Sequence, residues 1–330
     1  MSSVSVAIID PFHPKIVESI QQGLPSSWRL SVAKGRSPAD HAEAMREAEV
    51  AFVMATPLPG ELLAGAQHLG FIQKMGAGVD RIDLDQCRAR GIGVARLFAG
   101  NATPVAEHTL MLMLASYRRL PLLDRNTRAG KWEKEECRGV NRQISGKTVG
   151  IVGFGAIGRA VAKLLSGFGA TIVYFDPVPA PAEVESELKA RSLDLDELLS
   201  QADIVTLHLP LTPKTANLLD EGRIAAMKPG ALLVNCARGG LVDEAALVRA
   251  LASGHLSGAA LDAFSIEPPT GNPLLDMEQT IVTPHAAGAT LDNFASLVKR
   301  AVDNAKLYLA GAELPPNDVV LAPRKPASVG

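Results

Sequence analysis

The run Val149-Gly150-Ile151-Val152-Gly153-Phe154-Gly155-Ala156-Ile157-Gly158-Arg159 decides the fold. An apolar strand pattern leads into Gly-x-Gly-x-x-Gly, and a helical pattern (Ile157, Val161, Leu164, Leu165) leads out. Three spaced glycines alone say little. A strand before them and a helix after them make a dinucleotide-binding fingerprint, and Asp176 completes it, 18 residues beyond Gly158 at the end of the next strand pattern. Gly153 permits the tight turn, Gly155 lets the backbone approach a pyrophosphate, and Gly158 allows close helix–strand packing. Phosphates there would meet unpaired amides and the positive end of the helix dipole. The Asp176 carboxylate would accept hydrogen bonds from ribose hydroxyls and repel a 2′-phosphate. Pro177 and Val178 follow it, not an arginine, so NAD is favoured over NADP.

The same alternation of short β-branched runs and helical patterns extends outward over nearly the whole chain, which implies α/β units with parallel sheets. Before the fingerprint, strands are expected at Val4–Ile9, Arg29–Val32, Val50–Val53, Phe71–Lys74 and Ile92–Ala95, a doubly wound unit of five strands and four crossovers. Ser37-Pro38 reads as an N-cap and first helical residue. A longer helix is expected over Thr103–Arg119, with Thr103 as its cap and Pro104 at its first position. Strands follow at Thr148–Val152, Thr171–Phe175, Ile204–Leu207, Ala231–Asn235, Gly258–Leu261 and Ile281–Thr283, with helices near Glu244–Ala252 and Asp292–Leu309. The tail from Pro315, with Pro316, Pro323 and Pro326, is expected to be extended with a frayed end.

Bulk properties narrow the function classes. At about 150 residues per domain, 330 residues imply two domains. The 33 basic and 35 acidic residues give a net charge of -2, which excludes a broad electrostatic grip on nucleic acid or an anionic membrane. A polar segment, Arg125–Lys147, carries seven basic and three acidic side chains and reads as a solvated arm or subunit contact. Cys87, Cys137 and Cys236 are far apart and support neither a disulfide framework nor a zinc site. No metal is expected. The longest apolar stretch, Leu110–Ala115, is too short to span a bilayer, and no signal core follows Met1, so a soluble cytoplasmic protein is expected.

Three ionisable residues follow later strands, where an open parallel sheet presents its ligand crevice. They are Arg238 in Asn235-Cys236-Ala237-Arg238-Gly239-Gly240, Glu267 in Ser265-Ile266-Glu267-Pro268, and His285 in Thr283-Pro284-His285-Ala286-Ala287-Gly288. Each alone has an ordinary structural explanation. Together, beside a dinucleotide site, they have complementary tasks.

At these residues the chain resembles the D-isomer-specific 2-hydroxyacid dehydrogenase family. The similarity runs from Gly76-Ala77-Gly78-Val79-Asp80 through Val105-Ala106-Glu107-His108, the fingerprint and Leu209-Pro210-Leu211-Thr212-Pro213 to the arginine, glutamate and histidine segments. The resemblance implies two doubly wound parallel-sheet domains, with a Rossmann NAD domain (99–289) inserted into a discontinuous flavodoxin-like substrate domain (1–98 plus 290–330). Helices near Thr103–Arg119 and Leu291–Leu309 would be crossovers, the active site would lie in an interdomain cleft, and the arm at Arg125–Lys147 would make homodimer contacts. It implies hydride transfer between NAD and a small 2-oxo or 2-hydroxy acid. His285 would be the general acid and base, Glu267 its partner, and Arg238 the group holding the substrate. Gly76, Ala77 and Gly78 would receive the substrate carboxylate, and Asp262 would contact the nicotinamide amide. Ala156, Ile157, Pro210, Cys236, Ala237 and Gly288 would line the cofactor.

The sequence departs from the better-known subgroups in its first domain. Met54 stands where phosphoglycerate dehydrogenases usually carry an arginine for the substrate phosphate, although Arg81 or Arg96 would be able to substitute. Pro104 replaces a residue that is often serine, threonine or alanine. Phe98, Met54, Met75 and Leu97 either line an apolar substrate pocket or pack in the core. A phosphoglycerate-dehydrogenase-type enzyme is one alternative. The other is an NAD-responsive corepressor-like interaction protein, because such members of the family retain the triad.

Overall fold

The structure is a computed structural model that describes residues 3–322. In chain order the elements run β1 (Ser5–Ile8), α1 (Pro14–Gly23), β2 (Arg29–Val32), α2 (Pro38–Met45), β3 (Val50–Val53), α3 (Gly60–Gly65), β4 (Phe71–Lys74), α4 (Leu84–Arg90) and β5 (Gly93–Arg96). There follow α5 (Ala102–Tyr117), α6 (Leu120–Arg128), β6 (Thr148–Val152), α7 (Ala156–Ser166), β7 (Thr171–Phe175), α8 (Ala182–Leu188), β8 (Ala190–Ser192), α9 (Leu195–Gln201) and β9 (Ile204–Leu207). The chain continues through α10 (Glu221–Ala226), β10 (Leu232–Asn235), α11 (Glu244–Ala252), β11 (Gly258–Leu261), β12 (Thr280–Val282), α12 (Leu291–Leu309) and β13 (Val319–Leu321). These elements form two compact units, Met1–Asn101 with Thr290–Gly330, and Ala102–Ala289.

The first unit holds a sheet of order β13-β5-β4-β3-β1-β2. Its five N-terminal strands are parallel in the flavodoxin-like order 2-1-3-4-5, and β13 adds antiparallel to β5. Strands β1, β3 and β4 are buried throughout, as a parallel sheet covered on both faces requires. Alternate residues therefore enter different cores, Ala7, Ala51 and Ile72 in one and Val6, Phe52 and Phe71 in the other. The second core is closed by Val298, Ala301 and Ala305 of α12. Buried Asp318, just before β13, accepts from the Phe98 amide, Arg300 Nη2 and Asn304 Nδ2, which ties the C-terminal segment to the end of β5.

The second unit holds seven parallel strands in the order β12-β11-β10-β9-β6-β7-β8. Six of them reproduce the Rossmann order 3-2-1-4-5-6, and β12 extends it. Because every strand points the same way, all its carboxyl ends share one rim. Core residues again alternate, with Val149, Ile151 and Ile204 on one face and Val152, Val205 and Leu207 on the other.

The expected strands are present to within a residue at their ends, and the structure departs from expectation at two places. Helix α5 begins at Ala102, so Thr103 and Pro104 lie inside its first turn and Thr103 is not the cap. Pro104 is tolerated there because first-turn amides have no intrahelical acceptor. Strand β8 was not expected, and Ala190-Arg191-Ser192 contains no β-branched residue to signal it. The polar arm takes in the last turn of α6 and a 3-10 turn at Glu136–Gly139. The tail from Pro315 is extended as expected at β13, Val319–Leu321, while Pro323 and Pro326 lie outside the described residues. No helix among the described residues is long and apolar enough to cross a membrane.

Candidate active site

Strand β6 lies between β7 and β9, where the strand order reverses and an α/β sheet opens a crevice. Two of the three fingerprint glycines after it have no room for a side chain. Gly153 sits at φ +96°, and a Cβ there would lie 2.7 Å from the His208 carbonyl. A Cβ on Gly158 would lie 2.1 Å from the Gly153 carbonyl oxygen, so α7 packs against the turn only through this glycine. Gly155, the N-cap of α7, differs: a Cβ there would meet nothing within 4 Å. Gly155 thus leaves open space at the start of α7, a helix end whose first amides lack intrahelical partners.

Asp176 follows β7 directly. Its Oδ2 accepts from the Phe154 amide at 2.8 Å and its Oδ1 from the Val178 amide at 2.9 Å. The carboxylate thus holds the glycine turn in place, and each oxygen keeps a further lone pair. Phe154 stacks on Tyr174 at 3.9 Å between centroids, which anchors the turn from below. An open cradle, a helix terminus and an acceptor on the next strand fit a dinucleotide.

The three expected ionisable residues follow three adjacent strands, β10, β11 and β12. The side chain of buried Asn235 donates to the Arg238 carbonyl at 2.8 Å and accepts from the Ala237 amide at 3.0 Å, which folds the loop that presents Arg238. Arg238 Nη1 donates to the Ala237 carbonyl. Cys236 in this loop is buried, and burial pushes its thiol up to about 12, so it is a neutral thiol and not a nucleophile. Glu267 and His285 meet directly, with Nδ1 to Oε1 at 2.8 Å. An ionised carboxylate only accepts, so Nδ1 carries the proton and Nε2 is the nitrogen that exchanges one. The imidazole is 41% exposed, so that nitrogen is open to a reactant.

The His285 backbone is held at φ +54°, a region that costs a non-glycine residue about 1–2 kcal/mol. Asp262 supplies the restraint. Its carboxylate is 1% exposed, with Oδ1 accepting from the Ala286 amide at 2.8 Å and the Thr283 hydroxyl at 2.6 Å, and Oδ2 from the Ala287 amide at 2.9 Å. Thr283 is also 3.2 Å from Nε2 of His108 on α5. Neither Thr283 nor the side chain of His108 was singled out from sequence, because they stand 175 residues apart and no local pattern joins them.

His208, after β9, was also missed. Its Nε2 bonds Thr206 Oγ1 at 2.9 Å, its Nδ1 is buried without a hydrogen-bond partner among the described residues, and burial pulls its pKa down to about 3. It is therefore a neutral ring, and its backbone forms the wall against Gly153. Pro210 is exposed beyond it, while Ala237 is buried and Gly288 half-buried along the rim.

In the first unit, Met54 begins a loop held by three charged side chains. Asp10 accepts from the amides of Met54 at 2.6 Å, Ala55 at 2.6 Å and Thr56 at 2.8 Å. Lys74 donates to the Met54 carbonyl and Arg81 to the Ala55 carbonyl. Gly76 is buried beside Lys74, and Ala77 and Gly78 are half-buried. Met75 and Leu97 are core residues, 1% and 0% exposed, so neither lines a pocket. Phe98 is exposed, with the Arg96 guanidinium 5.4 Å from its ring centroid. Among the described residues no cluster of three or more His, Cys, Asp or Glu side chains is placed to hold a metal ion.

The NAD-binding domain of the D-isomer specific 2-hydroxyacid dehydrogenases matches residues 110–287. The chain belongs to this family. Its cofactor is accordingly NAD. The D-3-phosphoglycerate dehydrogenase of Mycobacterium tuberculosis (strain ATCC 25618 / H37Rv) is 38% identical over 316 residues, which cover 96% of this chain and 58% of that one. This chain thus spans little more than half the length of the curated relatives it matches. A protein of solved structure from Thermus thermophilus is 34% identical, with a TM-score of 0.85, over 96% of this chain and 100% of that one. An NAD-dependent formate dehydrogenase from Staphylococcus aureus, solved in complex with NAD, is 27% identical with a TM-score of 0.86, over 97% of this chain and 100% of that one.

Proposed function

We propose that this dehydrogenase reduces a small 2-oxo acid to the D-2-hydroxy acid, and catalyses the reverse reaction, with His285 as the proton donor and acceptor. The observation that carries this reading is the 2.8 Å bond between His285 Nδ1 and Glu267, on the same sheet rim as the dinucleotide cradle. NADH, when bound, supplies a hydride to the carbonyl carbon. His285 gives the Nε2 proton to the oxygen that becomes the hydroxyl, while Glu267 keeps the ring oriented through Nδ1. Arg238, always protonated, holds the substrate carboxylate or carbonyl oxygen. Gly76, Ala77 and Gly78 offer backbone amides to the carboxylate. Asp262 meets the nicotinamide amide from a carboxylate already bonded to the Ala286 and Ala287 amides.

The acceptor at Asp176, with no arginine beside it, supports NAD over NADP. A soluble cytoplasmic homodimer belongs to the same proposal. It is supported by apolar side chains exposed at Met111, Leu114, Leu120, Trp132 and Val140 in and before the polar arm.

A second reading, a phosphorylated substrate, has its own support. The mycobacterial relative is named for phosphoglycerate, and the Arg81 guanidinium reaches the very loop that begins with Met54. A panel of 2-oxo acids, including glyoxylate, hydroxypyruvate, branched oxo acids and 3-phosphohydroxypyruvate, run with NADH and with NADPH, tests both. Turnover of unphosphorylated acids with NADH is expected. Preference for the phosphorylated acid would select the second reading, and tight NADH binding with no turnover of any acid would leave an interaction protein.

A further inference from the structure

We infer that His108 and Thr283 are positioning residues for the catalytic histidine, acting through Asp262. This rests on the proposed role of His285 and adds two residues that the reaction itself does not touch.

The direction of the hydrogen bonds follows from what each group can do. Asp262 Oδ1 accepts only, and it lies 2.6 Å from Thr283 Oγ1, so the single hydroxyl proton of Thr283 is committed to the carboxylate. The threonine oxygen must then accept from His108 Nε2 at 3.2 Å. The chain reads His108 Nε2–H to Thr283 Oγ–H to Asp262 Oδ1, with one polarity throughout. His108 Nε2 is also 3.7 Å from Oδ1, beyond hydrogen-bond reach, so its link to the carboxylate runs through the Thr283 hydroxyl.

The other acceptor positions of Asp262 hold the loop. They take the amides of Ala286 and Ala287, the two residues after His285, and His285 is the one residue of that loop with a positive φ. His285 also donates its own amide to the Thr283 carbonyl at 3.0 Å, which makes Thr283 the base of the turn on both its backbone and side-chain sides. Helix α5, through His108, thereby fixes the carboxylate that keeps the His285 backbone in its strained conformation. Loss of the Thr283 hydroxyl frees one position on Oδ1, and loss of His108 leaves that hydroxyl without the donor that orients it, so in either case the carboxylate is held less firmly against the loop amides. The outcome is a less frequently aligned His285, with the cradle around Gly155 untouched.

The test uses the full chain with Thr283→Val, Thr283→Ser, His108→Leu and His108→Gln, the glutamine amide standing in for the Nε2 donor. Two readouts are combined. In steady-state reduction of the acid identified from the panel, Thr283→Val is expected to lower kcat about tenfold and His108→Leu about fivefold. The KM for NADH should change less than about twofold, and Ser and Gln should restore kcat to within about twofold of wild type. The double variant His108→Leu/Thr283→Val should be no slower than Thr283→Val alone, since both act along one chain. Amide hydrogen exchange of the peptide containing Ala286 and Ala287 is the second readout and needs no substrate. Exchange there should quicken in the Val and Leu variants and stay slow in the Ser and Gln variants.

Unchanged kcat and unchanged exchange in Thr283→Val would overturn the inference. So would a Gln variant as impaired as Leu, or a loss confined to NADH affinity. If no acid is turned over by the wild type, the functional reading fails, and the exchange pattern still decides whether the chain of donors holds the loop.

Discussion

At the scale of single residues, two histidines of the same rim are set up for opposite behaviour. His285 is exposed, faces a carboxylate and presents Nε2 to a reactant. His285→Ala is therefore expected to lower turnover by about two to four decades, the usual scale for loss of general acid–base help, while NADH binding persists. Single-turnover rates and a fluorescence titration check both halves, and near-normal turnover on a confirmed substrate would remove His285 from its role. His208 is half-buried with its Nδ1 shut off from solvent, and desolvation pulls its pKa from an ordinary 6.5 to about 3. The folded chain keeps the ring neutral where the unfolded chain would take up a proton. Stability is then fully present above pH 6.5 and is lost as pH falls from 6.5 toward 3, by up to about 1.4 kcal/mol per pH unit. Urea unfolding at pH 7 and pH 5 should show a larger loss for wild type than for His208→Gln, and equal losses would mean that His208 titrates normally.

At the scale of elements, the β6–α7 turn separates what a glycine does for packing from what it does for a ligand. Gly158→Ala drives a methyl into the Gly153 carbonyl, so it should cost about 1–3 kcal/mol of stability as well as cofactor affinity. Gly155→Ala meets no protein atom and should leave the melting temperature unchanged, while its methyl fills the cradle and weakens NADH binding at least about tenfold, or 1.4 kcal/mol. A melting curve beside a binding titration distinguishes the two. Turns and strands of this kind are legible because their residues are neighbours in sequence: β-branched runs mark β3, β6 and β9, and the glycine spacing marks the turn. Strand β8 escapes that reading because Ala190-Arg191-Ser192 has no β-branched residue, and β13 because it takes its hydrogen bonds from β5, a partner far away in the sequence. The Glu267–His285 pairing was readable only through family resemblance, and the Asp10, Asp262 and His108 contacts not at all. Contacts of that kind are made between loops that the sheet, not the local sequence, brings to one rim.

At the scale of the whole molecule, the chain passes from one unit to the other twice, at Asn101–Ala102 and again at Ala289–Thr290. The first unit is consequently finished by the last described residues, through α12, β13 and buried Asp318. Asp318→Ala removes the acceptor of the Phe98 amide, Arg300 and Asn304, and should destabilise the first unit by about 3 kcal/mol. Calorimetry with and without NADH checks this, because the cofactor raises only the transition of the unit that binds it. A single unshifted transition would show that Asp318 carries no such load. The parallel sheet of the second unit has a consequence for synthesis. Its rim is written in the order cradle, Asp176, His208, Arg238, Glu267, His285, so a ribosome delivers the parts proposed to hold the nucleotide well before the histidine proposed to move a proton.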